Sequence, residues 1–239
     1  MVISALISAG ILVLCAFKIK SQRGKEYVLR FFAVITVVIH FSSLWVDFFV
    51  NGEAKMQESM LFPIHPCNVC MWMLLIVAFC KNREGIFGKT LSEFAFWGGT
   101  VCGFVGILLN VNFDSNPTLA DYEVLKGLLS HSTMLIGCIY ILVAKFIKIR
   151  VANVRSVVLG LCFFVVDGLI INTLYRIFEI DECNSMYLLE PPMANLPWLN
   201  TWFLGVVGVL ICFSISALYE QLFLKEEERW YKHIKIKSE

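Results

Sequence analysis

Apolar residues gather into seven runs along the chain, at 2–17, 29–50, 61–80, 91–110, 125–147, 157–179 and 198–219, separated by polar connections. An α-helix needs about 20 mostly apolar residues to cross the hydrocarbon core of a bilayer, and the runs match that length. The first is short but carries no charge, and its basic residues follow it; a cleaved signal peptide has the opposite order, so this run reads as a retained span. No connection is long enough to be a soluble domain. No internal repeat stands out, so an inverted-repeat transporter is not supported. The pattern predicts an all-α, polytopic membrane protein of seven transmembrane helices. It comprises a single membrane domain over residues 1–224 and a short basic tail over 225–239.

Charge gives the spans a direction. Of the 20 basic residues, 17 lie in the connections after runs 1, 3 and 5 and in the tail, from Lys18 to Arg30, Lys81 to Lys89, Lys145 to Arg155 and Lys225 to Lys237. The other side holds Lys55, Lys126 and Arg176 with a set of acids that includes Glu53, Glu58, Asp114, Asp121 and Glu190. Basic residues accumulate on the cytoplasmic side, so the N-terminus is expected outside and the C-terminus in the cytoplasm. Composition agrees: 58% of the residues are hydrophobic and 16% charged, where a soluble domain has about 25% charged. Net charge is +1 and there is no basic arm. The expected partners are therefore membrane lipids, not nucleic acid. Nine cysteines are scattered through the chain. Cys15, Cys80, Cys102, Cys138, Cys162 and Cys212 lie in or at the ends of apolar runs and read as small hydrophobes.

The third run opens LFPIHPCNVCMW, which places a histidine, a proline and two cysteines within six positions. Proline suits the first turn of a helix, where its missing N–H leaves no bond unmade, so regular helix is expected to begin at Pro66. Cys67 and Asn68 then occupy the first turn, where unbonded N–H groups and the positive end of the helix dipole favour a thiolate and can hold an oxyanion. His65 lies just outside that turn. His65, Cys67 and Asn68 thus supply a base, a nucleophile and an anion site. Three other readings stay open: helix capping with cysteine as a filler, a redox or disulfide pair of Cys67 with Cys70, and a zinc site from His65, Cys67, Cys70 and His131.

His131, in LLSHSTML, sits at the depth of His65 and Cys67, and a histidine inside a span is a functional candidate. In the sixth run, Asn172, Tyr175 and Glu179 share one face, with Arg176 one turn from Asn172. That stripe is expected to face the bundle interior, with Arg176 as the partner of a phosphate headgroup or as half of an ion pair with Glu179 or Asp181. Asp167 and His40 are expected to make interhelical hydrogen bonds. Asp47 is placed to contact the site, and Trp198 and Trp202 to anchor the outer surface.

On the FPIHPC, LSHSTML and NSMYLLEPP stretches, the chain resembles the family of YwaF-type bacterial integral membrane proteins and their animal relative, transmembrane protein 164. The resemblance covers most of the chain. The family's His-x-Cys falls on His65 and Cys67, and the histidine of its fifth span on His131. The asparagine before its outer loop falls on Asn184, and the following proline on Pro191 or Pro192. The chain departs from the family pattern at Ser185, where an aromatic is common. The animal relative is described as a cysteine-dependent acyltransferase that builds polyunsaturated ether phospholipids, so the resemblance implies Cys67 as nucleophile.

Together these readings point to acyl transfer between lipids at the non-cytoplasmic face of the cell membrane. Cys67 attacks a phospholipid ester, and His131 or His65 takes the proton. Helix amides with Asn68 or Asn184 stabilise the oxyanion, and Asn172, Tyr175 and Arg176 hold the headgroup. No cofactor is called for. A lysolipid hydroxyl accepts the chain, or water does in a lipase. The alternatives are a non-enzymatic seven-helix sensor or small-solute transporter, and a zinc-dependent membrane hydrolase.

Overall fold

The structure is a computed structural model that describes residues 2–52, 62–109, 118–178, 180, 183–192, 196–198 and 200–233. Among these residues there is no strand. The helices are α1 (Val2–Lys18), α2 (Gln22–His40), α3 (Ser42–Asn51), α4 (Pro66–Phe79), α5 (Ile86–Leu108), α6 (Tyr122–Val143), α7 (Val154–Ile177) and α8 (Thr201–Phe223). With α2 and α3 counted as one path, they occupy all seven expected runs. The continuous path Gln22–Val50 and helices α5, α6, α7 (with the turn before it) and α8 are each long and apolar enough to cross a membrane, while Pro66–Phe79 is a shorter apolar helix. Large apolar side chains such as Phe31, Phe49, Ile177 and Phe223 stay exposed along the outer faces, as lipid contact requires. The protein is an all-α polytopic membrane protein.

Two compact units divide the chain, Met1–Phe146 and Ile147–Glu239. In the first, α6 packs against α1, α2, α4 and α5. Met134, Leu135, Ile136, Gly137 and Cys138 are all buried. Five consecutive positions cover more than a full turn, so α6 is enclosed on every side at this level. Asp121 caps its start, accepting from the N–H groups of Glu123 and Val124 at 2.9 and 3.1 Å. The hydroxyls of Thr36 and Thr133 join α2 to α6 at 2.9 Å.

The second run was expected to be one helix, but it breaks at Phe41. The Ser42 hydroxyl donates to the Ile39 carbonyl at 2.6 Å, and such back-bonding bends helices. That donation leaves the hydroxyl oxygen to accept from Tyr122 at 2.6 Å. The bend also sets the Phe41 ring edge-on to Trp72 of α4 at 6.0 Å.

The far end of α4 is held by Arg83. Its guanidinium makes a two-pronged contact with Glu26 of α2 at 2.5 and 2.7 Å. It also donates to the Val77 and Ala78 carbonyls at 2.8 and 3.0 Å. These carbonyls belong to the last turn of α4, where helix acceptors lack internal partners. Replacing Arg83 with Ala is expected to cost about 2–3 kcal/mol, because four charge-assisted bonds are lost at a mostly buried site. Arg83→Lys should recover less than half, since an ammonium cannot make the forked contact. Thermal unfolding of the detergent-solubilised protein measures both, and equal midpoints for wild type and Arg83→Ala would refute the clamp.

In the second unit, α7 buries Val157, Gly160, Phe164, Gly168, Ile171 and Tyr175, spaced three and four apart along one face. Helix α8 buries only Cys212, Ser216 and Glu220, one per turn. The Glu220 carboxylate accepts from the Val151 N–H at 2.8 Å and the Trp230 N–H at 2.6 Å. This buried acid ties the short turns at Val151–Asn153 and Trp230–His233 to the end of α8.

Candidate functional site

Helix α4 begins at Pro66, as its sequence requires, with His65 extended as the N-cap. Its 14 residues span about 21 Å, some 9 Å less than a hydrocarbon core of about 30 Å. Its C-terminal end is tied down by Arg83 and followed by Lys81, so that end belongs at the polar boundary. The first turn of α4 holds Cys67 and Asn68.

That turn is built around sulfur. The Asn68 and Val69 N–H groups donate to the His65 carbonyl at 2.9 and 3.4 Å, and Pro66 has no N–H to offer. The Cys67 sulfur lies in this same first turn. The thiol in turn donates to Asn68 Oδ1 at 3.4 Å. Cys67 is half-buried and Asn68 buried. Asn68, expected from sequence to donate to an oxyanion, meets the thiol through its amide oxygen. It is placed as a hydrogen acceptor from the resting thiol.

His131 Nδ1 lies 2.8 Å from the Gly127 carbonyl one turn earlier on α6. A carbonyl only accepts, so Nδ1 carries the hydrogen and Nε2 keeps its lone pair. The ring rests on Gly106 of α5. A Cβ at that position would lie 2.3 Å from Nε2 and 2.0 Å from Cδ2. Sequence reading passed over Gly106, although it continues a stripe with Gly99 and Gly103. The same test there gives 2.3 Å to Cys138 Sγ and 2.9 Å to Leu135 Cβ. The three glycines, spaced four and three apart, let α5 and α6 approach closely, as small residues do between membrane helices.

Cys102 lies on α5 one turn before Gly106. Its sulfur is 3.8 Å from that of Cys70, one turn beyond Cys67 on α4. The first turns of α4 and the His131 ring therefore meet neighbouring turns of α5. All nine cysteines are free thiols. Among the described residues no three His, Cys, Asp or Glu side chains are grouped to hold a metal ion, so the zinc set of His65, Cys67, Cys70 and His131 does not assemble.

The remaining candidates belong to the second unit. Asn172 accepts from the Ser185 N–H at 2.7 Å and donates to the Ser185 carbonyl at 3.3 Å. Both halves of its amide thus hold the 183–190 loop against α7. Asn184 folds that loop on itself, accepting from the Leu189 and Glu190 N–H groups at 3.0 and 3.3 Å and donating to the Glu190 carbonyl at 2.9 Å. Met186 and Tyr187 adopt left-handed backbone there, and the loop sits on Gly168, where a Cβ would come within 3.0 Å of Met186 Cβ. Tyr175 is buried, but Arg176 is exposed, against the expectation that this stripe faces inward as a whole. A step of 100° per residue carries Arg176 away from Tyr175, and the α7 face that buries Ile171 and Tyr175 leaves it out. Glu179 and Asp181 lie outside the described residues. Interhelical hydrogen bonding was expected of Asp167; its Oδ2 is buried with no hydrogen bond among the described residues.

No curated protein and no solved structure matches the chain. The model of one family does match, over residues 1–219 of 239, a span that takes in the eight α-helices of the described residues but the last four residues of α8. That span includes the Cys67 turn, the His131 seat and the Asn172-anchored loop, and the chain belongs to the TMEM164 family.

Proposed function

We propose that the chain is a membrane-embedded cysteine acyltransferase that moves an acyl chain from a phospholipid to a lysolipid. The observation that carries this reading is the Cys67 thiol, bonded to Asn68 Oδ1 in the first turn of α4, in the same unit as a His131 imidazole whose Nε2 keeps its lone pair. The positive end of the α4 dipole favours negative charge at this position, on sulfur or on the carbonyl oxygen of the acylated thiol. On the topology expected from the basic connections, this end of α4 faces away from the cytoplasm.

The steps balance without a cofactor. His131 Nε2 accepts the thiol proton as sulfur bonds to the ester carbonyl carbon of the donor. The tetrahedral intermediate collapses with cleavage of the carbon–oxygen bond, and the imidazolium returns the proton to the departing lysophospholipid hydroxyl. A second lysolipid hydroxyl then gives its proton to His131 and attacks the thioester. Cleavage of the carbon–sulfur bond regenerates the thiol and releases the new phospholipid. Water in place of the second hydroxyl yields a fatty acid.

A phospholipid with an alkyne-tagged acyl chain tests the reading. Incubated with the purified protein, it is expected to leave a hydroxylamine-sensitive tag on the peptide holding Cys67, and to pass the tag to added lysolipid. Absence of any tagged thioester, with the lipid shown to be in contact with the protein, would overturn it.

A further inference from the structure

Two thiols meet where α4 packs on α5. The sulfurs of Cys70 and Cys102 lie 3.8 Å apart, and both cysteines are free. Glycines bring the helices this close. A Cβ on Gly98 would lie 3.4 Å from Cys70 Sγ, and one on Gly99 would lie 3.8 Å from Cys70 Cβ. Gly98 is one turn before Cys102 on the same face of α5, so the Cys70 side chain lies against the glycine step with the Cys102 sulfur beside its own. The pair that the CNVC motif allows, Cys67 with Cys70, is not the one in contact, since the Cys67 thiol donates to Asn68 Oδ1 at 3.4 Å. Access differs between the two thiols. Cys70 is fully buried, whereas Cys102 is partly exposed. Val101, Phe104 and Val105 around it are exposed too, on a helix long and apolar enough to cross a membrane. A reagent that reaches Cys102 along this face must therefore dissolve in lipid.

We propose that Cys70 and Cys102 are a redox modification site: a hydroperoxide dissolved in the bilayer converts them to a disulfide, which slows transfer at Cys67. In the first step the Cys102 sulfur bonds to the terminal oxygen of the hydroperoxide. The oxygen–oxygen bond breaks, the thiol proton goes to the departing alkoxide, and an alcohol and the Cys102 sulfenic acid result. In the second step the Cys70 sulfur attacks the Cys102 sulfur. The sulfur–oxygen bond breaks, and hydroxide leaves as water with the Cys70 proton. The two thiols together lose two electrons, and the hydroperoxide gains them. The second step is intramolecular, between sulfurs already in contact, which gives Cys70 a high effective concentration. A disulfide holds its sulfurs about 2.05 Å apart, so closing the bond draws α4 and α5 together at this level. Cys70 is one turn beyond Cys67, and Cys102 is one turn before the Gly106 seat of the His131 ring. The bond therefore acts on both helices that position the proposed nucleophile and base. Its effect on transfer rests on the acyltransferase reading, but its formation does not.

The full chain in phosphatidylcholine nanodiscs, first reduced, is treated with cumene hydroperoxide, blocked with an alkylating reagent and digested without reductant. Mass spectrometry is expected to find the peptides of Cys70 and Cys102 joined in wild type, and still joined in Cys67→Ala. Transfer of a tagged chain by the oxidised wild type is expected to fall about tenfold or more and to return on reduction with a phosphine. Cys102→Ala should form no such link and keep most of its own transfer under the same treatment. An equal loss in Cys102→Ala would place the damaging oxidation on Cys67 itself. That result, the absence of a link, a link to Cys138 in place of the Cys70–Cys102 bond, or a link that leaves transfer unchanged would each overturn the proposal. The joined peptides are read without any transfer. Failure of the acyltransferase reading therefore shows separately, as reduced wild type that moves no chain while the bond still forms; the modification site then stands and its effect on transfer falls. Should Cys102→Ala fail to fold, Cys70→Ala removes the other half of the pair and should likewise form no link.

Discussion

Cys67→Ala is expected to erase the acyl-enzyme, with transfer of a tagged chain falling by at least about a thousandfold to the level of protein-free membranes. The next cysteine on α4 is not placed to take over. Cys70 is fully buried, and its sulfur is engaged with Cys102 at 3.8 Å. Cys67→Ser should be nearly as inactive, although it changes one atom. A serine hydroxyl holds its proton far more tightly than a thiol and is the weaker nucleophile. His131→Ala should lower transfer by roughly 10²- to 10⁴-fold while leaving slow thioester formation at high pH, where the thiol ionises without a base. The His65→Ala variant decides between the histidines. Its carbonyl, unchanged by the substitution, holds the first turn through the Asn68 and Val69 N–H groups, so a loss in that variant would come from the ring alone. Retained transfer by Cys67→Ala would refute nucleophilic sulfur chemistry altogether.

The positions of the helices were legible because lipid imposes a length, and the runs carry it without interruption. The start of α4 was legible too, since Pro66 admits few other places in a helix. What sequence did not disclose depends on partners distant along the chain. The bend at Phe41 follows from one serine hydroxyl choosing the Ile39 carbonyl, and serines elsewhere in the spans do not break their helices. Asn172 and Asn184 carry the polar groups expected of a headgroup site, but short amides bond readily to nearby backbone, and the 183–190 loop takes that option for both. Arg176 looked inward because an arginine in an apolar run invites a partner. Its real position follows from which α7 face is packed, and the burial of Ile171 and Tyr175 sets that face.

Cys67 and His131, the residues on which the proposed chemistry rests, lie 64 residues apart by their numbers. Only the packing of α4, α5 and α6 gives that separation a meaning. Helix α5 mediates it, with Cys102 3.8 Å from Cys70, one turn beyond Cys67, and Gly106, one turn on, beneath the His131 ring. The helix carrying neither expected catalytic residue is therefore the one that registers them.

A methyl group at position 106 isolates that role. In Gly106→Ala the new Cβ would stand 2.0 to 2.6 Å from three atoms of the His131 ring, distances that no relaxation of the methyl itself can relieve. Backbone of α5 cannot retreat easily, since Gly103 and Gly99 hold it against Leu135 and Cys138 on the same stripe. The imidazole must swing instead, which breaks its 2.8 Å bond to the Gly127 carbonyl and with it the preference for hydrogen on Nδ1. Transfer is expected to fall by about 10²- to 10³-fold, approaching the loss in His131→Ala, because a base displaced by an ångström or rotated to the wrong tautomer is nearly a missing base. Labelling of Cys67 by a small thiol reagent at high pH should be almost unchanged, since the α4 turn is not touched. The double variant Gly106→Ala, His131→Ala should be no slower than His131→Ala alone, as expected of two changes that act through one ring. Fully additive losses would show that Gly106 supports α5 packing in general and that the imidazole is not held by it.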